Sequence, residues 1–149
     1  KIIFNKFFNK FYNFIKIKCI KENKFMGTGG ALYKLKKEKV NDFVLVNGDT
    51  IFDIDIKDLI NLKKRNKIGA LGLTKNNNNI FSKKLSNLSL KNENISYDKK
   101  GKFMNGGVYF FNKKIFNYVK NKNQSLENEI IPKLIKKRKI KGKIFKDFF

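Results

Sequence analysis

Short apolar runs recur along the chain, and their spacing predicts five strands. Residues 14–20 (FIKIKCI) alternate apolar residues with polar or small ones at a period of two, which is typical of a strand with one solvent-facing side. Continuous apolar runs at 43–46 (FVLV) and 68–74 (IGALGLT) predict strands buried on both faces. Two further strands are predicted at 106–111 (GGVYFF) and 141–149 (KGKIFKDFF).

Amphipathic patterns between these runs predict helices. A short helix follows the glycines of GTGGAL, and a second carries Ile56, Leu59 and Ile60 on one face. A third begins at the N-cap Ser125, with acidic residues in its first turns. Asn112 is predicted to cap a shorter helix, and a hairpin is predicted at 87–96. The alternation of strand and helix predicts one α/β domain with a mostly parallel sheet.

Composition narrows the classes of protein to which the chain can belong. It has 149 residues, 41% of them hydrophobic, which suits a folded domain, and no apolar run approaches the roughly 20 residues of a membrane helix. One cysteine and no histidine exclude a disulfide framework and histidine catalysis, and they favour a reducing cytoplasm. The net charge of +23 comes almost wholly from scattered lysines, so we expect solvated charge and no specific nucleic-acid partner.

Carboxylates follow the predicted strand at 43–46. Asp49 closes the triplet Asn47-Gly48-Asp49 at the carboxyl end of that strand, where ligands collect in open α/β sheets. A carboxylate there suits Mg²⁺, which takes few protein oxygens together with substrate phosphates. An ordinary turn aspartate is the equal alternative. Asp55 stands directly ahead of an amphipathic pattern and is predicted to be a helix N-cap.

Three glycines and a threonine precede the first predicted helix. Backbone N–H groups at such a turn can approach a ligand closely, and a helix N-terminus favours anions. The turn lacks the spacing of GxGxxG and the lysine of a P-loop, so a plain tight turn is the alternative.

Five segments, in this order, resemble the sugar-1-phosphate nucleotidylyltransferase family, and within it the heptose 1-phosphate guanylyltransferases. The segments are FMGTGGAL (25–32), VLVNGDTIFDIDI (44–56), ISYDKK (95–100), NGGVYFF (105–111) and SLENEIIPKLI (125–135). The resemblance implies a Rossmann-like three-layer α/β domain and transfer of a nucleotidyl group from an NTP, here GTP, to a sugar 1-phosphate, here a heptose 1-phosphate. Mg²⁺ is the implied cofactor. The oligomeric state is left open.

The resemblance also assigns roles to particular positions. Asp49 matches the metal-binding aspartate. The nucleotide's base and ribose are expected to lie against the glycine turn, and the sugar against a second turn and a glutamate; the matching residues are Gly27, Thr28, Gly29 and Gly30 for the nucleotide, and Asn105, Gly106, Gly107 and Glu127 for the sugar. A first-turn helix residue is the alternative for Glu127.

A glutamate–lysine pair of the family binds the sugar's hydroxyls and its phosphate. Without a gap in the alignment, Lys100 takes the lysine position and Lys99 replaces the glutamate. With a shift of one residue, Asp98 and Lys99 form the pair. Both alignments remain open.

Two parts of the family pattern are not found in these 149 residues. The opening glycine-rich segment that grips the triphosphate has no counterpart, since residues 1–20 contain no glycine. The resemblance also stops just before the second metal-binding aspartate. We therefore expect a domain over residues 1–149 that is incomplete at both termini and weakly active or inactive by itself. A nucleotide- or sugar-phosphate-binding module without catalysis, or a basic nucleic-acid-associated protein, are the alternative functions.

Overall fold

A computed structural model describes residues 11–12, 15–22, 24–50, 54–62, 66–75 and 87–145. Its strands are β1 Phe11–Tyr12, β2 Ile15–Lys16, β3 Asp42–Val46, β4 Gly69–Lys75, β5 Leu88–Lys91, β6 Asn94–Tyr97, β7 Phe103–Asn112 and β8 Ile140–Ile144. Its helices are α1 Thr28–Leu35, α2 Ile56–Ile60 and α3 Ile131–Lys136, with 3₁₀ turns Lys36–Glu38 and Lys113–Asn117 and a π-helical turn Leu126–Ile130 that leads into α3. Residue 14 and residues 146–149 of the predicted strands lie outside the described part.

A six-stranded mixed sheet forms the centre, in the order β3-β7-β4-β8-β6-β5. The α/β class and the mixed sheet are confirmed. Parallel neighbours are rarer than the sequence predicts, because β7 lies antiparallel between β3 and β4 and, among the described strands, only β4 and β8 pair in parallel. The directions still agree in part, since β3, β4, β5 and β8 all run one way.

Each face of the sheet packs against a different set of helices, which gives three layers. On β7, Tyr109 and Phe111 face a large core that includes Leu32 of α1 and Leu134 of α3. The alternate residues of β7 face a smaller core with Leu59 of α2. The period-two alternation of a central strand thus serves both layers.

Local signals for turns and caps are well matched by the structure. Asp55 accepts a hydrogen bond from the Lys57 N–H (2.9 Å), and Asn112 accepts one from the Lys114 N–H (3.0 Å), so both predicted caps are confirmed. The predicted hairpin is β5–β6.

The prediction that the strand at 43–46 is buried on both faces is wrong. β3 lies at one end of the described sheet, its middle residues are half-buried, and Val46 is exposed. Phe43 and Leu45 pack against the large core and Val44 against the small one, so both faces of this end strand are only partly covered. A continuous apolar run does not distinguish such a strand from a central one. The run at 68–74 is the buried central strand β4, as predicted.

Within the described ranges, no helix has the length and apolar character needed to cross a membrane.

Candidate functional site

A bulge in β7 marks the site. Leu71 of β4 pairs with Tyr109, whereas Leu73 pairs with Asn105, so β7 accommodates extra residues between these two positions. Gly107 lies in the bulge with φ 73°, and a Cβ atom there would stand 2.5 Å from Thr50 Oγ1. Bulges of this kind are common beside functional sites because they redirect side chains. The predicted turn Asn105-Gly106-Gly107 is therefore a bulge, and only glycine fits at position 107.

Tyr109 is buried beneath this bulge, and its hydroxyl joins several polar side chains. Asn105 Nδ2 donates to the hydroxyl oxygen at 2.8 Å, and the side chains of Asn47 and Glu127 lie close enough to influence its pKa. Burial raises the pKa of Tyr109 far above its ordinary 10.0, and the charge of Glu127 raises this pKa further. Tyr109 is thus a neutral phenol whose hydroxyl lies among side chains of β7, of the turn after β3 and of the π-helical turn.

The π-helical turn presents Glu127 to the same region. Its N-cap is Ser125, as predicted: the Asn128 N–H donates to Ser125 Oγ at 3.1 Å, and the Ser125 N–H donates back to Glu129 Oε1 at 2.9 Å. The Ile130 N–H reaches the Ser125 carbonyl at 3.3 Å, the i→i−5 pattern of a π-helix. This capping fixes the backbone from which the half-buried Glu127 side chain projects.

Thr28, at the start of α1, touches this turn. Its hydroxyl donates to Glu127 Oε2 and accepts a hydrogen bond from the Leu126 N–H at 2.9 Å. The predicted nucleotide segment 27–30 and the predicted sugar residue Glu127 are therefore in direct contact.

The glycines of the first turn are packing positions. Gly29 and Gly30 are buried, and the Gly29 N–H donates to the Gln124 carbonyl at 2.8 Å. A Cβ at Gly29 would stand 2.3 Å from that carbonyl oxygen, so the turn approaches the 122–124 loop as closely as backbone allows. Gly27 has φ 66°, a conformation suited to glycine. Nucleotide contact by this turn stays a prediction.

Asp49 lies on the turn after β3, and this turn adjoins the bulge. The Asn47 N–H donates to the Gly107 carbonyl at 2.9 Å, and the Thr50 N–H donates to the Asn47 carbonyl at 3.3 Å. Asp49 itself is exposed, and in the described part of the chain no hydrogen bond or ion pair holds its carboxylate. That part contains no group of three or more acidic, cysteine or histidine side chains that would hold a metal without other ligands.

Asp98, Lys99 and Lys100 form an exposed turn ahead of β7. Asp98 accepts hydrogen bonds from the Lys100 N–H (2.9 Å) and the Ser89 hydroxyl (2.8 Å), which lower the pKa of its carboxyl. Asp98 thus stabilises its own turn. The assignment of the lysine pair stays open.

A cavity of about 510 Å³ lies beside the bulge. Among the residues that line it are Asn105, Glu127, Asn128, Tyr97, Met104 and Pro132. It joins two of the predicted sugar residues, whereas Lys99 and Lys100 are not in its described lining.

Sequence reasoning missed Asn47 and Tyr109. Asn47 belongs to the triplet Asn47-Gly48-Asp49, in which only Asp49 was assigned a role. Tyr109 sits in an apolar run, but a buried tyrosine needs a partner for its hydroxyl, and that requirement was the available signal.

No protein-family model matches the sequence. The chain is 31% identical over 151 residues to the D-glycero-alpha-D-manno-heptose 1-phosphate guanylyltransferase of Campylobacter jejuni, covering 99% of this chain and 66% of the relative. It is 32% identical over 141 residues to the bifunctional protein GlmU of Methanococcus aeolicus, covering 90% of this chain and 34% of the relative. HddC from Yersinia pseudotuberculosis, complexed with GMP-PN, shares the fold with a TM-score of 0.67 at 23% identity, over 92% of this chain and 63% of HddC.

The chain thus spans just under two thirds of the guanylyltransferase and about a third of GlmU. Both alignments run through the bulge, the glycine turn and the π-helical turn, since they cover 90% or more of the chain. On this similarity, together with the mixed sheet, the chain belongs to the sugar-1-phosphate nucleotidylyltransferase family.

Proposed function

We propose that the protein transfers a nucleotidyl group from GTP to a heptose 1-phosphate, giving a nucleotide sugar and pyrophosphate. The observation that carries the proposal is the connection between two halves of a site. The Asn47–Gly107 hydrogen bond ties the turn with the free carboxylate of Asp49 to the bulge above the cavity lined by Asn105 and Glu127. The name of the guanylyltransferase relative supports the choice of GTP and heptose 1-phosphate.

The reaction needs positioning and charge neutralisation more than proton transfer. An oxygen of the sugar's phosphate attacks the α-phosphorus of GTP and forms the new P–O bond. The bond from the α-phosphorus to the oxygen that bridges to the β-phosphate breaks, and its electron pair leaves with pyrophosphate. Because the attacking phosphate is already ionised near neutral pH, no general base is required, which suits a chain without histidine.

Some of the described residues would bind the sugar 1-phosphate, and others would lie beside the nucleotide. Glu127 and Asn105 supply a carboxylate and an amide to the cavity, where they would orient the sugar's hydroxyls. Lys99 or Lys100, both exposed, would hold the sugar's phosphate. Gly27 and Thr28 border the expected nucleotide side.

Asp49 suits a magnesium ion shared with phosphates. Its exposed carboxylate has no described protein partner, and Mg²⁺ commonly takes one or two carboxylates together with substrate phosphates and waters. When bound, Mg²⁺ would neutralise phosphate charge and make the α-phosphorus more electrophilic. Cys19 is a free thiol, which is consistent with the reducing cytoplasm that we propose as the location.

A product assay on the full-length protein tests this proposal. Each of the four NTPs is combined with Mg²⁺ and a panel of sugar 1-phosphates, and pyrophosphate and nucleotide sugar are measured together. We expect equal amounts of the two products, with GTP and a heptose 1-phosphate giving the highest kcat/KM. Absence of pyrophosphate in every combination would reject the proposal, and binding of both substrates without turnover would favour a binding module.

A further inference from the structure

The first turn of α1 is in contact with the segment that carries Glu127. The family resemblance predicts that the glycine turn lies against the nucleotide. The described polar contacts that this turn makes outside itself, however, go to residues 124–127. We propose that Thr28 is a positioning residue for Glu127: its hydroxyl fixes the carboxylate that faces the sugar, so Thr28 governs sugar binding from the nucleotide side. This inference rests on the proposed function.

The hydroxyl of Thr28 has no hydrogen left for a nucleotide. A hydroxyl carries a single hydrogen, and here that hydrogen is donated to Glu127 Oε2. The same oxygen accepts from the Leu126 N–H at 2.9 Å, so it also satisfies an N–H of the first turn of the π-helical segment. One side chain therefore holds both the backbone at Leu126 and the carboxylate of the next residue.

The backbone of the glycine turn is engaged in the same way. The Gly29 N–H donates to the Gln124 carbonyl at 2.8 Å, and the Gly30 N–H donates to the Gly27 carbonyl at 3.0 Å. A Cβ at Gly30 would stand 2.3 Å from Met26 Cβ and 3.0 Å from the Lys122 carbonyl oxygen. The glycines thus let α1 approach the 122–127 segment closely enough for the Thr28 hydroxyl to reach Glu127.

Glu127 has enough freedom for this restraint to matter. Its side chain is half-buried and long, and losing a charge-assisted hydrogen bond would release rotamers that do not face the cavity. Ser125 Oγ lies 3.5 Å from the same Oε2 atom, at the limit of a hydrogen bond, so it cannot replace Thr28 fully. The Glu127 carboxylate would then occupy several rotamers, and binding of the sugar's hydroxyls would have to select one of them.

The test compares Thr28→Val with Thr28→Ser in the full-length protein. Valine keeps the shape and removes the hydroxyl, whereas serine keeps the hydroxyl. We expect Thr28→Val to raise the KM for the sugar 1-phosphate about tenfold or more, the magnitude for losing one hydrogen bond to a charged group, with the KM for GTP nearly unchanged. Thr28→Ser should restore the sugar KM to within about twofold of the wild type.

A rise in the KM for GTP alone would overturn the inference and indicate that Thr28 binds the nucleotide. Equal KM changes in the valine and serine variants would also overturn it, because the hydroxyl would then be irrelevant.

A double-mutant cycle on unfolding separates failure of this inference from failure of the proposed function. Thr28→Val, Glu127→Gln and the double variant are compared with the wild type by chemical denaturation. Each variant changes the unfolding constant by some factor. We expect the factor for the double variant to differ from the product of the two single-variant factors by about threefold or more, since the two side chains are in contact. If the wild type turned over no substrate pair, the proposed function would fall while a coupled cycle still upheld the contact; an additive cycle would overturn the inference.

Discussion

Glu127 and Asp49 are acidic residues of the candidate site, and their surroundings differ. Glu127 is half-buried, and its carboxylate accepts a hydrogen bond from the Thr28 hydroxyl. Asp49 is exposed on the turn after β3, and no partner for it exists within the described residues.

The difference indicates how the two halves of the site are completed. A carboxylate that must distinguish sugar hydroxyls benefits from being fixed before the substrate arrives, because ordering it during binding would cost affinity. A carboxylate that serves a metal carried by phosphates gains its partners with the substrate. On the proposed function, the fold would preorganise the sugar half, and the metal half would be completed when Mg²⁺ and the phosphates bind.

Asp49→Asn should have the largest effect. The amide keeps the shape and loses the charge, so we expect kcat to fall about 100- to 1,000-fold, comparable to removing one electrostatic stabiliser of a transition state. Asp42→Asn, at the opposite end of β3, is the matched control and should leave kcat unchanged. Near-normal kcat in Asp49→Asn would remove Asp49 from the chemistry.

Gly29→Ala should cause the next largest loss, in stability. The new Cβ would stand 2.3 Å from the Gln124 carbonyl oxygen, and we expect about 2–3 kcal/mol of destabilisation from the forced backbone shift. Gly48→Ala is the control on the Asp49 side, where nothing lies within 4 Å of the added Cβ. Chemical denaturation measures both variants; equal stability would show that the glycine turn is not tightly packed against the 122–124 loop.

Glu127→Gln should weaken binding of the sugar 1-phosphate much more than binding of GTP. Losing the charge weakens hydrogen bonds from the sugar, so the KM for the sugar 1-phosphate should rise about 10- to 30-fold while the KM for GTP changes little. Steady-state kinetics with each substrate varied in turn would check this. A matching rise in both KM values would mean that the two halves are not separate.

Tyr109→Phe should have the smallest effect, about 1–2 kcal/mol at pH 8, because Asn105 Nδ2 loses its acceptor. The pKa of Tyr109 is raised in the folded protein, so its contribution to stability is fully present below pH 10.0 and declines as the pH rises above that value. The difference in free energy of unfolding between wild type and Tyr109→Phe should therefore narrow from pH 8 to pH 11, and a constant difference would contradict the raised pKa.

The sequence predicted the parts of this fold that depend on local rules. Asp55, Asn112 and Ser125 cap their helices because an N-cap needs only its own neighbours. The position of β7 between β3 and β4 depends on pairing between distant segments, and no local pattern encodes it.

The candidate site shows the same division. Residues 27–30, Asn105 and Glu127 are predicted site residues through resemblance, but the Thr28–Glu127 contact joins residues 99 positions apart. Asn47 and Tyr109 were missed because Asn47 lies on the turn after β3 and Tyr109 lies in β7, and neither local pattern reveals that the two side chains come together. Contacts between distant residues form the candidate site, whereas local patterns determine the helix caps and turns around it.

Calorimetric titration of GTP with and without Mg²⁺ tests most directly whether Asp49 and Glu127 serve different halves of the site. With the wild-type full-length protein and with Glu127→Gln, Mg²⁺ should tighten GTP binding about tenfold or more, whereas with Asp49→Asn the metal should have no effect. Mg²⁺-dependent binding that survives in Asp49→Asn, or disappears in Glu127→Gln, would contradict the account.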